Sequence, residues 1–190
     1  MSGHNKWAQI KHKKAATDAA KSRVFSRFAR LIALESRNAN GDVNAPALKA
    51  AIERAKAVNM PKDNIERAVA KGTSKDAGNM ERVVYEAYGP GGAAIVVDAL
   101  SDSRNRTTQE VKLIFTKSGV EMAGPGAATW AFTKLPEGGF APNEPLMDLS
   151  AEDADRLGAI LDKLDDQDDV QAVYTNARGF ESTVSDSGPE

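Results

Sequence analysis

Residues 81–100 read ERVVYEAYGPGGAAIVVDAL, two runs rich in Val, Ile and Tyr around a Gly-Pro-Gly-Gly centre. β-branched and aromatic side chains fit a pleated, partly buried surface, and the glycines supply the turn, so the pattern predicts a hairpin with strands at 81–88 and 93–100. A phosphate cradle is a poorer reading of the same glycines, because no helix opening on Lys-Ser or Lys-Thr follows them. The glycines make a turn.

Toward the C-terminus, SDSRNRTTQEVKLIFTKSG (101–119) predicts a helix capped by Thr107 or Thr108, turning Val111, Ile114 and Phe115 inward and ending at Gly119. Arg104 and Arg106 then lie in the loop feeding that helix. Short strands are expected near 129–132 and 146–149, joined by the Gly/Pro-rich connection LPEGGFAPNEP. In 150–165, Ala154, Leu157, Ile160, Leu161 and Leu164 recur at helical spacing with acids opposite, and VQAVYT (170–175) reads as a last strand. The order β-β-α-β-β-α-β fits an α+β sandwich related to the ferredoxin-like split βαβ. From Arg178 the tail is polar and expected to be loose.

Toward the N-terminus the period changes from strand to helix. Thr73 to Asn79 has the composition of a linker. Pro61 opens a helix through Ile65, Ala68 and Val69 that Gly72 is expected to close. Pro46 opens another that carries Leu48, Ala51, Ile52, Ala55 and Val58. Before it, Val24, Phe25, Phe28, Leu31 and Ile32 make one apolar stripe on a helix with Thr17 as N-cap and Asn40-Gly41 as its stop. Arg23, Arg27 and Arg30 line up beside that stripe. Asn64, Arg67 and Lys71 would sit on the second helix of a helix-turn-helix, but a plain three-helix bundle is the better reading. The expected organisation is thus a basic all-α domain at 1–75 with a flexible arm at 1–16, an acidic α+β ferredoxin-like domain at 80–177, and a tail at 178–190.

Charge divides the chain more sharply than hydropathy. Residues 1–75 carry 16 basic and 6 acidic side chains, and residues 76–190 carry 9 basic and 21 acidic. The formal net charge of −2 conceals a strong dipole, which suits a basic module that grips a polyanion and an acidic one that stays clear of it. The basic residues are densest in the first 37, where Lys6, Lys11, Lys13, Lys14, Lys21, Arg23, Arg27, Arg30 and Arg37 face only Asp18 and Glu35. Trp7 stands among them, able to stack on a base while Lys neutralises phosphate or, equally, to pin the arm to the body. There is no cysteine, hence no disulfide, thiolate nucleophile or Cys-based zinc site. His4 and His12 lie in the basic arm without a paired carboxylate, so neither a metal site nor a nucleophile-base pair is suggested. With no apolar run of membrane-spanning length and no apolar signal core, the reading is a cytoplasmic, monomeric protein without cofactor, metal or membrane partner.

Five motifs, GHNKWAQIKHKKAATDAAKSRVFSR (3–27), NMPKDNIERA (59–68), YGPGG (88–92), DSRNRT (102–107) and DDVQAVYTNA (168–177), carry a resemblance to the YebC/PmpR family of transcriptional regulators and translational activators. It covers residues 1 to about 133 and about 146 to 177. The family pattern is similar to a three-part protein with an α+β domain inserted in the middle one, where this chain has only LPEGGFAPNEP. The resemblance implies a non-enzymatic, nucleic-acid-associated factor. An RNA- or ribosome-binding translation factor acting on stalled synthesis is the leading expectation, with ribosomal RNA as partner, and a duplex-DNA transcriptional regulator is the alternative. It further implies contacts from Lys6, Trp7, Lys11, His12, Lys13, Lys14 and Lys21, and from Arg104, Asn105 and Arg106. The helix arginines Arg23, Arg27 and Arg30 complete the expected nucleic-acid-binding set.

Overall fold

The computed structural model describes residues 18–75, 80–136 and 138–180. Three helices come first: α1 (Asp18–Asn38), α2 (Pro46–Ala57) and α3 (Lys62–Thr73). The α+β part follows as β1 (Glu81–Tyr88), β2 (Ala94–Ser101), α4 (Arg104–Lys117), β3 (Met122–Ala123), β4 (Phe132–Lys134), β5 (Phe140–Pro142), α5 (Ala151–Asp165) and β6 (Val170–Thr175). The fold class is α+β, a helical module and then a sheet domain. The expected arm at 1–16, its Thr17 cap and part of the expected linker lie outside the described residues.

In the helical module, Ile32 of α1 is buried with Leu48, Ala51 and Ala55 of α2 and Ile65 and Ala68 of α3, and Phe25, Phe28 and Leu31 pack against that cluster. The apolar stripe on α1 thus becomes the seam onto which both shorter helices close. Asn40 (φ +50°) and Gly41 (φ +81°) turn the chain out of α1, and the Gly41 amide donates to the Ser36 carbonyl at 2.8 Å. Pro46 stands in the first turn of α2, where its missing N–H costs nothing.

The hairpin is the centre of a four-stranded antiparallel sheet of order β3-β1-β2-β6. Glu81 pairs with Ser101 and Tyr88 with Ala94, while Pro90–Gly92 make one 3-10 turn with Gly91 and Gly92 at φ +67° and +84°. β2, α4 and β3 form the split βαβ unit, since β2 and β3 both run antiparallel to the strand between them. One sheet face buries Val83, Tyr85, Ile95 and Val97 against Val111 and Phe115 of α4 and Leu157, Ile160 and Leu161 of α5. Each large side chain removed from water there is worth about 1.5–3 kcal/mol. On the other face Ala94 and Val96 meet Ala128, Ala131 and Phe132, with Phe140 and Tyr174 packed against them, so β2 is buried along its whole length.

Five sequence expectations are corrected. α4 starts at Arg104 rather than at Thr107 or Thr108: the Ser101 hydroxyl accepts the Ser103 amide at 2.9 Å just ahead of the helix, and the Thr107 hydroxyl is given to Asp169 instead of to a cap. Residues 129–131 form a 3-10 turn before β4, and 146–149 hold only a single bridge, Met147 to Ala177. The connection read as bare loop contains β5, which pairs with β4 from Phe132↔Pro142 to Lys134↔Phe140. Finally, the loose tail does not begin at Arg178, whose amide donates to Met147 O at 2.8 Å, and Phe180 is buried in the main core.

Gly72 also has a different role from the helix stop expected of it. α3 runs through it to Thr73, and a Cβ built there would stand 2.3 Å from the Ala33 carbonyl and 2.7 Å from Ser36 Cβ. Ser36 meanwhile donates its hydroxyl to Val69 O at 2.8 Å, so α1 and α3 touch backbone to backbone. Gly72→Ala is expected to lower stability by about 1–3 kcal/mol through this clash, against the roughly 1 kcal/mol that helix propensity would give back. Urea unfolding checks this: a higher midpoint in the variant would mean that propensity wins and the contact is slack.

Candidate nucleic-acid interface

The arginine row of α1 faces the acidic turn between α5 and β6. Arg23 pairs with Asp166 at 3.3 Å, Arg27 with Asp165 at 3.2 Å, and Arg30 with Asp169. Arg27 and Arg30 also donate to the main-chain carbonyls of Asp165 and Asp168. This places guanidinium charge at the C-terminal end of α5, where the helix dipole and the orphan carbonyls are negative. Three of the expected nucleic-acid contacts are thus engaged inside the molecule.

Asp169 is the point where these contacts meet. Its side chain is 4% exposed, and it accepts from the Thr107 hydroxyl, from Arg106 at 2.7 Å and from Arg30. Its backbone carbonyl takes the Leu100 amide at 2.8 Å, which extends the β2–β6 ladder past a bulge. Burial pushes this carboxyl up, but the Thr107 hydrogen bond and the two arginines outweigh burial and hold it below the ordinary carboxylate range. Arg106 is kept charged mainly by its hydrogen bond to Asp169 and then by that to Asp102.

Arg104 and Asn105 occupy the exposed first turn of α4 beside Arg106. Lys21 is exposed on α1. Lys6, Trp7, Lys11, His12, Lys13 and Lys14 lie outside the described residues. On α3, Arg67 is tied to its own helix through Asn64 Oδ1 and, at 3.2 Å, Asp63 O. An apolar groove of about 460 Å³ runs beside it, lined by Val43, Ile52, Met60, Ile65 and Val69.

Sequence reading missed a second feature. Trp130 is 68% exposed; its indole N–H donates to the Tyr88 hydroxyl at 2.7 Å, and that hydroxyl donates to Ala127 O. The loop that carries it is pinned by Glu86, a buried carboxylate that accepts the amides of Gly126, Ala128 and Thr129 at 2.7, 2.7 and 2.8 Å. Burial raises the Glu86 pKa, and the three amides more than reverse this, leaving it lowered. Trp130 lay in a segment read as a strand, and an isolated Glu in β1 carries no sequence signal of what it will hold.

Residues 5–75 match the family model described as the TACO1/YebC protein N-terminal domain, and residues 80–137 match that of the TACO1/YebC second and third domain. A protein of Francisella tularensis subsp. novicida (strain U112), named a probable transcriptional regulatory protein, is 37% identical over 248 residues, covering 99% of this chain and 100% of the relative. A protein of the same name from subsp. holarctica (strain LVS) is 36% identical with the same coverage. The crystal structure of a conserved hypothetical protein, Aq1575 from Aquifex aeolicus, superposes with a TM-score of 0.78 at 30% identity, over 90% of this chain and 96% of that one. The Francisella alignments run over 248 positions against 190 residues here, and the second-and-third-domain match stops at residue 137, inside the Gly/Pro-rich connection.

Asp169 and Glu86 have folded pKa values below their unfolded ones. Their stabilisation is therefore present above an unfolded pKa of about 4 and is lost as pH falls through the lower folded value. Stability is expected to be level from about pH 7 to 5 and to decline below about pH 4. Asp169→Asn should cost about 3 kcal/mol at neutral pH by removing the buried anion that Arg30 and Arg106 share, and its gap from the parent should narrow in acid. Urea midpoints measured across this range decide it; a gap that is constant with pH would show that the Asp169 charge is not what stabilises the junction.

Proposed function

The chain belongs to the TACO1/YebC family, and on that premise we propose that it is a nucleic-acid-binding regulatory factor acting on RNA at the ribosome. The observation that carries this is the charge division, net +10 over residues 1–75 against net −12 over 76–190. A polyanion is drawn to one end of such a molecule and repelled from the other. Lys6, Lys11, Lys13, Lys14 and Lys21 supply phosphate contacts, and Trp7 with His12 supplies stacking. Arg104 and Asn105 add a secondary contact from the α4 terminus.

The factor acts by binding, without catalysis, as a cytoplasmic monomer. The buried carboxylates that an acid-base mechanism would draw on are saturated by structural partners: Glu86 by three amides, Asp98 by Arg82 (Nε to Oδ1 2.8 Å), Asp169 by Thr107 and two arginines. Among the described residues no helix is long and apolar enough to cross a membrane.

A second reading, a transcriptional regulator on duplex DNA, is favoured by the name of the Francisella relatives. Base reading in a major groove needs free Arg or Asn side chains on an exposed helix. On α3 these are Asn64 and Arg67, which are bonded to each other. That arrangement speaks against base reading by α3.

If about five cations contact phosphates, log affinity for single strands should fall with log salt at a slope near −3.5, roughly two decades between 50 and 200 mM. Lys11, Lys13 and Lys14 changed together to Ala should weaken every single-stranded RNA by a similar factor and flatten that slope by about two. Trp7→Ala should lower affinity by an amount worth about 1–3 kcal/mol at unchanged slope. Fluorescence anisotropy against single-stranded RNA and against duplex DNA measures both. Triple-Lys and parent chains of equal affinity at 50 mM salt would refute the reading, and tighter, sequence-selective duplex binding would replace it with the second.

A further inference from the structure

From the pairing of Arg23, Arg27 and Arg30 with Asp166, Asp165 and Asp169, we infer that the acidic turn after α5 is an intramolecular stand-in for RNA phosphates. It latches the sheet domain onto the arginine row until a polyanion displaces it. The inference rests on the RNA-binding reading and adds to it a control on access.

Three observations carry it. The arginines recur at i, i+4 and i+7 and so form a row about 10 Å long on one side of α1, each meeting an Asp of a five-residue segment, 165–169. Such a row of guanidinium groups suits phosphate, two of whose oxygens can accept the planar guanidinium fork in bidentate fashion as a carboxylate does. The contacts are graded. Asp169 is buried and shared with Arg106 and Thr107, whereas the Asp166 and Asp165 side chains keep 47% and 35% of their exposure, with Arg23 and Arg27 at 32% and 18%. Half-exposed pairs of this kind are weak and screened by salt, so a dense polyanion can exchange with them. Asp169 remains bound to α4 when the outer pairs open.

Linkage then fixes the behaviour. An anion that binds the arginine row competes with docking of the sheet domain, so docking weakens RNA binding by the same factor by which RNA weakens docking. The sheet domain acts as a gate through its own acidic turn.

The test uses the full chain at 50 mM salt with a single-stranded oligouridylate. Asp165→Asn with Asp166→Asn removes the carboxylate charges facing Arg23 and Arg27 and leaves only the main-chain contact of Arg27; it should bind about tenfold tighter and steepen the salt slope by about 1.4, two phosphate contacts at 0.7 each. Because the chain has no cysteine, dyes placed through Lys49→Cys and Asp155→Cys, both on exposed helix positions, report the distance between modules in the otherwise native sequence. Energy transfer should fall on saturation with the oligouridylate. This second measurement decides the question if the Asn variant does not fold. Binding by the parent with no gain in the variant, or with unchanged transfer, overturns the latch and leaves the RNA reading standing. Failure of both chains to bind overturns both.

Discussion

A buried carboxylate without a counter-charge would cost several kcal/mol, and Asp169 sets the arrangement of this molecule by requiring three donors at one place. Thr107 and Arg106 reach it from α4, and Arg30 reaches it from α1. To meet that requirement α4 must begin at Arg104, so that its first full turn presents both side chains to the β6 entry. With the Arg23 and Arg27 pairs, it brings the helical module against the sheet domain through charge, and among the described residues no buried apolar cluster spans the two. Such a junction is sensitive to salt and acid in a way that the two hydrophobic cores are not.

The second constraint is the burial of β2 on both faces. Helices α4 and α5 cover one side, but the other needs a lid, and the β4–β5 hairpin with the turn before it supplies one. Phe132, Phe140 and Tyr174 interlock edge to face, with ring centroids 6.4 and 5.5 Å apart. Glu86 fixes the loop that leads into this lid. A carboxylate aimed at three backbone amides thus does for the loop what a strand would otherwise do, and it leaves Trp130 exposed with its N–H satisfied.

Much of this was legible in the sequence because it rests on local periodicity. The β1–β2 hairpin, the face of α5 and the strand VQAVYT emerged where alternation or a 3.6-residue period is uninterrupted. The errors fall where a distant partner decides. Thr107 looks like a helix cap until Asp169, 62 residues away, takes its hydroxyl. Gly72 looks like a helix stop until Ala33 is found against it. β5 is three residues inside a Gly/Pro-rich stretch and exists only because β4 pairs with it. The arginine row was read correctly as a row, but its acidic partners lie in a segment that reads as a solvated helix end. Charge pattern alone does not say which opposite charges will meet.

The shortness of β3 has a consequence for association. β3 pairs only with Glu86 and Ala87, so among the described residues the stretch of β1 from Glu81 to Tyr85 has no strand on its outer side. An unpaired edge is a template on which a stray strand from another molecule can add. Here the open stretch begins with Glu81 and Arg82, both exposed, and Arg82 is held across the sheet by Asp98 rather than left to swing. An incoming strand would have to seat itself over fixed, hydrated charge at the end where growth would start. Along this stretch the composition of the edge itself opposes growth.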